Sequence, residues 1–417
     1  MNLSKVEFRY ESMLDEYPDT SFNFGPAAHR ALGGLLLEKH ESGALLFGGG
    51  SRSGAVNRSM AIVVEEMLRG GLHPVDWQGI PPEPTVEDVR RMRDAIEKFQ
   101  PEEVIAVGGG SVMDAAKAAY LSYQTGMDVQ ELFGVNRATE KFPDRTFKRV
   151  LCVPTTSGTG SEATPYSNIV DPDAGVKKLI MENAIIPSAS FINPKFTWTM
   201  PEKLTVTTAL DALVHCVESV LNYKAENAHP NSVCWGLQGI RLIAAGLPVV
   251  LKQPMNELGR TFLSAAATLG GMCIRNRPTS LPHLCSFSFY GKVAHGDAVA
   301  ALLPPFWKYY LDEPAVRDAT MQMAGIFGGP QENSPEDVVK NAAAFIVSCK
   351  GPAKLSDLGC DQSIIKKAAQ DAILNPMKLQ SCPRPITPDT AEKTISDILS
   401  DAWNVDASCV EAGQGRF

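Results

Sequence analysis

Four side chains draw attention by type and spacing. In "TALDALVHCVES", Asp211 and His215 lie four positions apart, so on a helix both project from one face. A carboxylate and an imidazole so placed can share one divalent cation, or they can be a solvated or capped pair. Further on, "SLPHLCSFSFYGKVAHG" holds His283 and His295 twelve positions apart in an otherwise apolar or small run. Two such imidazoles, added to the first pair, would complete four ligands of N and O type for one divalent ion. The alternative is that they are core histidines.

A second chemistry is written in glycine. "VGGGSVMDAAKA" sets Gly108, Gly109 and Gly110 before Ser111, at the expected junction of a strand and a helix. Glycine lets a backbone approach a phosphate, and a helix N-terminus offers free N–H groups and a positive dipole end. "PTTSGTGSEAT" crowds Thr155, Thr156, Thr159 and Ser161 into one loop, a density of hydroxyls suited to pyrophosphate or ribose. Either loop alone reads equally well as an ordinary turn. Two at neighbouring strand ends suggest one dinucleotide lying across the carboxyl edge of a parallel sheet.

The elements that must position these groups follow from periodicity. "GALLFGGGSRSG", "EEVIAVGGGS" and "FKRVLCVPTTSGTGSE" are apolar runs ending in small residues, separated by helix-patterned stretches such as "AVNRSMAIVVEEMLRGGL" and "VEDVRRMRDAIEKFQ". Strand, glycine turn and helix in repetition predict a parallel α/β domain over 1–193. From about Asn193 the pattern turns helical, predicting an all-α domain over 194–417 that carries the aspartate and histidines.

With 39 basic against 47 acidic residues the net charge is -8, which argues against nucleic-acid or anionic-membrane binding. Hydrophobic residues at 44% and charged ones at 21% suit a globular protein, and no apolar run is expected to reach the roughly 20 residues that span a bilayer. Nine cysteines without a Cys-x-x-Cys pair suggest reduced thiols and a cytoplasmic location.

Together these motifs resemble the iron-containing (group III) alcohol dehydrogenase family over almost the whole chain. "GGGSVMDAAKA", "VPTTSGTGSEAT", "TALDALVHCVES" and "AHGDAVAALLP" match its four segments in order. The resemblance implies a dehydroquinate-synthase-like fold: an N-terminal nucleotide-binding α/β domain and a C-terminal all-α metal-binding domain. It implies an NAD(P)-linked alcohol dehydrogenase or aldehyde reductase holding one divalent metal, Fe(II) or Zn(II), with Asp211, His215, His283 and His295 as ligands. Gly108, Gly109, Ser111 and Asp114 would meet the cofactor's pyrophosphate. Thr155, Thr156, Thr159 and Ser161 would meet its ribose and nicotinamide, and Lys177 would face it, with Lys178 as a competitor. A homodimer is expected, with "KVEFRY" as a strand that could pair across its interface.

Three departures refine the expectation. Phe287 stands where many relatives carry a further histidine one turn after the first, and the His283–His295 spacing is shorter than theirs. Phe287 could pack on the nicotinamide or be a core aromatic. Arg275 and Arg277, in "IRNRPTSLPH", could bind an acidic group on the substrate, or could pair within the protein. After the first strand, Gly49, Ser51 and Arg52 stand where an acid would bind the ribose hydroxyls of NAD, so NADP is favoured over NAD. Two rival readings are a dehydroquinate-synthase-like lyase and a cofactor-binding protein without catalysis.

Overall fold

A computed structural model describes residues 10–38, 43–49 and 55–403 of the 417. Its strands are β1 (Ser21–Phe24), β2 (Ala44–Gly49), β3 (Val75–Ile80), β4 (Glu103–Gly108), β5 (Gly134–Val135), β6 (Leu151–Pro154), β7 (Tyr166–Asp171), β8 (Val176–Met181) and β9 (Ala189–Ile192). Among and before them run the helices α1 (Tyr10–Asp15), α2 (Ala28–Glu38), α3 (Ala55–Arg69), α4 (Val86–Phe99), α5 (Gly110–Thr125), α6 (Val129–Leu132) and α7 (Arg137–Lys141). The rest of the described chain is helical: α8 (Glu202–Leu221), α9 (Ser232–Lys252), α10 (Glu257–Asn276), α11 (Leu281–Ser286), α12 (His295–Tyr310), α13 (Pro314–Met321), α14 (Pro335–Ser348), α15 (Ser363–Ile373), α16 (Pro376–Ser381) and α17 (Pro388–Trp403).

The described residues form two compact units, 10–200 with 255–264, and 201–254 with 265–403. The sequence reading draws one line at Asn193; the chain instead changes unit at Met200 and lends the first turns of α10 to the first unit.

In the first unit, six strands form a parallel sheet in the order β1-β9-β6-β4-β2-β3. Its central strands are continuously apolar because both faces are covered. Strand alternation sends Leu45, Phe47, Val104 and Ala106 into one core and Leu46, Ile105, Val107 and Leu151 into another. Each such side chain, taken from water, contributes about 1.5–3 kcal/mol. That fixes the register of β2, β4 and β6, and so the level at which their glycine and threonine loops emerge. A second sheet, β5-β8-β7, contains the antiparallel pair β7–β8, which the sequence reading omits. Its strand β8, "VKKLIM", is largely half-buried and mixes lysine with apolar residues, so it lacks the apolar run by which the other strands announce themselves.

The second unit is helical throughout its described residues. Helices α8 and α9 are long and apolar enough, by length and composition alone, to cross a bilayer, which corrects the expectation that no such stretch exists. The apolar windows are 89% and 61% buried inside the protein, so α8 in particular is a core helix. The expected strand "KVEFRY" lies outside the described residues, apart from Tyr10, which opens α1.

Candidate functional site

Helix α8 carries Asp211 and His215 one turn apart, as the spacing predicts, and both are buried. His283 comes from α11 and His295 is the first residue of α12. Asp211 Oδ1 lies 3.7 Å from His215 Nε2, 3.5 Å from His283 Nε2 and 3.5 Å from His295 Nε2. Bonds of about 2.0–2.2 Å to one tetrahedral cation imply ligand-to-ligand edges of about 3.3–3.6 Å, so the spacing suits a shared ion. Ligand atoms of Asp211, His215 and His283 all fall within 4.8 Å of one another. His295 joins them through Asp211 and is the open member, its side chain 31% exposed against 6–7% for the others.

Hydrogen bonds aim the rings. Ser286 donates its hydroxyl proton to the His283 carbonyl, so toward His295 Nδ1, 3.3 Å away, it can only accept. That assigns the proton of His295 to Nδ1 and leaves Nε2 a lone pair facing Asp211. His283 Nδ1 is held by a close pair with Glu218, again leaving Nε2 on the Asp211 side. Asp211 Oδ1 and His283 Nε2 are buried without a well-formed hydrogen bond among the described residues. Buried polar atoms are seldom left so. Burial raises the Asp211 carboxyl, but His215, then His295 and His283, pull it well below the usual carboxylate range. Burial lowers His283, yet Glu218 and Asp211 raise it to about 9. The quartet is a place where positive charge is favoured.

Backbone packing sets the fourth ligand. A Cβ on Gly296 would stand 1.8 Å from the Thr207 carbonyl oxygen, so only glycine allows α12 to begin against α8. Lys203 pairs with Asp297 at 2.5 Å and ties the same turn of α12 to the start of α8.

The two predicted loops meet in the first unit. Thr155 N–H donates to the Gly108 carbonyl, and a Cβ on Gly110 would press within 2.6 Å of Thr159. A Cβ on Gly109 would lie 3.0 Å from the Thr156 hydroxyl. Among the described residues, helix α5 opens after Gly109 with no side-chain cap, and Thr155 Oγ1 is buried without a partner. An uncapped helix end, an orphan hydroxyl and glycines without room for a Cβ fit an anionic, hydroxyl-rich ligand such as a dinucleotide. Gly49 closes β2, paired with Ile80, while Ser51 and Arg52 lie outside the described residues.

Asp114 and Ser161 also bond each other. Ser161 donates to Asp114 at 2.5 Å and the Asn168 N–H donates to the same carboxylate at 2.9 Å, so both groups help join the loops. Lys117, fully buried in α5, donates to the Ser161 hydroxyl and to the Ser161, Thr164 and Tyr166 carbonyls. It is the residue that fastens the second loop. Its signal was a lone lysine inside the apolar "DAAKAAY".

Adjacent strand residues face opposite ways, which separates the two candidate lysines. Lys178 turns to Asp171 at 2.7 Å, while Lys177 meets Glu83 at 2.7 Å. Glu83 in turn donates its backbone N–H to Ser111 Oγ, so Lys177 stands on the α5 side accompanied by a carboxylate that the sequence reading did not name. Arg277 bonds within its own unit. Its guanidinium donates to Ser232 Oγ at 2.8 Å and to the Asn222 carbonyl at 2.7 Å, knitting α10 to the α8–α9 connection. Arg275 is half-buried in the last turn of α10. The Phe287 ring lies nearly parallel to His295, at 10° and 6.2 Å between centroids, forming an apolar wall beside the open ligand.

Comparison with known proteins bears on this arrangement. Residues 19–194 match the model of the iron-containing alcohol dehydrogenase family, and 205–403 match the model of that family's C-terminal region. The chain belongs to the iron-containing alcohol dehydrogenases, a family of oxidoreductases. It is 33% identical over 248 residues to aldehyde-alcohol dehydrogenase 2 of Entamoeba histolytica, an alignment covering 56% of this chain and only 27% of that much longer protein. To the NADPH-dependent butanol dehydrogenase of Clostridium saccharobutylicum it is 27% identical over 339 residues, covering 79% of this chain and 83% of that one. The solved alcohol dehydrogenase from Oenococcus oeni superposes with a TM-score of 0.82 at 23% identity, over 93% of this chain and all of that one, and so shares the fold.

Proposed function

We propose that this protein is a metal-dependent, NAD(P)-linked alcohol dehydrogenase and aldehyde reductase, transferring hydride reversibly between a nicotinamide and the carbon of a small alcohol or aldehyde. The observation that carries the reading is the single carboxylate oxygen, Asp211 Oδ1, set 3.5–3.7 Å from three imidazole nitrogens of which one is solvent-facing. Asp211, His215, His283 and His295 would hold Fe(II) or Zn(II), which supplies Lewis acidity toward the substrate oxygen when bound. One carboxylate among neutral imidazoles leaves such a site with net positive charge, favouring alkoxide character in the transition state. Phe287 excludes water from one side of His295 and offers an apolar surface to a short alkyl chain. The α5 N-terminus with Gly108, Gly109 and Ser111 binds the cofactor's pyrophosphate. The hydroxyls of Thr155, Thr156 and Thr159 bind its ribose and nicotinamide portions, with Asp114, Ser161 and Lys117 holding the loop in shape. Lys177 faces the cofactor together with Glu83.

NADP(H) is the favoured cofactor in this reading, because β2 ends "ALLFGG" without an acid to take the ribose hydroxyls. An NADPH-dependent relative is consistent with it. An acidic group on the substrate would be met by Arg275 and Arg277, the second of which also donates within its own unit.

The test is a panel of short aldehydes with NADPH and NADH on protein purified without air and loaded with iron or zinc. We expect cofactor oxidation, about one metal per chain, and a loss of more than about a hundredfold in kcat/KM for Asp211→Asn, taking the effect of outer-sphere changes as the floor. Absence of turnover with every aldehyde, together with failure to retain metal, would sink the assignment.

A further inference from the structure

Glu218 lies seven positions beyond Asp211 on the same face of α8, with its side chain entirely buried. A buried carboxylate costs several kcal/mol unless its oxygens are taken up. Here they are: Ser280 donates both its N–H and its hydroxyl at 2.8 Å to Oε1, and His283 Nδ1 closes on Oε2. The Tyr310 hydroxyl from α12 sits 3.2 Å from Ser280 Oγ and accepts the Leu281 N–H at 3.2 Å. Residues of α8, α11 and α12 are therefore linked around one carboxylate, with the His283 imidazole on its Oε2. The Nδ1 of His295 faces the neutral Ser286 hydroxyl.

We propose that Glu218 is a positioning residue for metal capture: it fixes the His283 ring with Nε2 toward Asp211 and, by its charge, strengthens that ring as a donor. The inference rests on the metal reading above. A carboxylate behind a ligating histidine locks its tautomer and raises its basicity, and loss of such a partner typically costs about ten- to a hundredfold in metal affinity.

The experiment measures Zn(II) and Fe(II) affinity of the full-length apo-protein by chelator competition, alongside its thermal midpoint. Glu218→Gln keeps the volume and removes the charge; it should weaken both metals by about ten- to a hundredfold. In a His283→Ala background the same change should cost nothing further, because the two residues act as one unit. A structural role alone would weaken metal binding equally in both backgrounds, and that result, or an unchanged affinity, overturns the proposal. Should Glu218→Gln fail to fold, Ser280→Ala, which removes one donor to the carboxylate, carries the same test with a smaller loss. If Asp211→Asn also leaves metal affinity unchanged, the metal site itself is refuted, a result distinguishable from failure of Glu218 alone.

Discussion

The placement of His295 depends on an atom that is absent. Gly296 has no Cβ, and the Thr207 carbonyl occupies the volume one would need. Since the obstacle is backbone, no side-chain rotation relieves it, and α12 must move away from α8. Gly296→Ala is expected to destabilise the protein by about 3 kcal/mol or more, at the upper end of overpacking costs. It should also displace the one open ligand. Urea unfolding with metal analysis of the surviving folded fraction checks both; a fully stable variant with wild-type metal content contradicts the packing described. The residue scale also accounts for Arg277, where a guanidinium that could meet a substrate also finds two oxygens of its own unit.

Among elements, α4 shows how a loop beside the candidate cofactor site is anchored. Thr85 and Asp88 form a reciprocal capping box at its start, and Arg91 closes on the same carboxylate. The Pro84 carbonyl receives the Val170 N–H, tying the Glu83 loop to β7. Burial raises Asp88, but the Thr85 N–H and hydroxyl and Arg91 together hold it below the usual carboxylate range. A carboxyl depressed on folding contributes stability that is present above its unfolded value, about pH 4, and is lost as pH falls through the lower folded value. Wild-type urea midpoints should therefore fall below about pH 4, while Asp88→Asn should be weaker by about 1 kcal/mol at neutral pH and show a flatter acid limb. Parallel acid limbs would contradict this account.

For the whole molecule, metal and stability are linked. The quartet brings together a carboxylate and imidazole lone pairs that favour a cation among them, so an ion that binds only the folded chain raises its unfolding free energy. At a free concentration a hundredfold above Kd the gain is about 2.7 kcal/mol. Adding Zn(II) to apo-protein should raise the thermal midpoint of the wild type and leave that of Asp211→Asn unmoved. An equal rise in both would place the bound metal elsewhere.

The sequence by itself determined what local periodicity and residue type can encode. Asp211 and His215 share a face because helical spacing is a local property, and the glycine and threonine loops sit at strand ends because apolar runs stop where small residues begin. Two histidines in an apolar stretch were conspicuous for the same reason. What tertiary structure decided was partnership across distance. Only packing brought α8, α11 and α12 together so that His283 and His295 reach one oxygen of Asp211, gave His283 the Glu218 carboxylate, and set Lys117 on the carbonyls of a loop more than forty residues away. It likewise turned Lys177 and Lys178 to opposite carboxylates through a β7–β8 pairing that no apolar pattern marks. Such contacts depend on which chain segments close on each other, and a single string of residues carries no local sign of that.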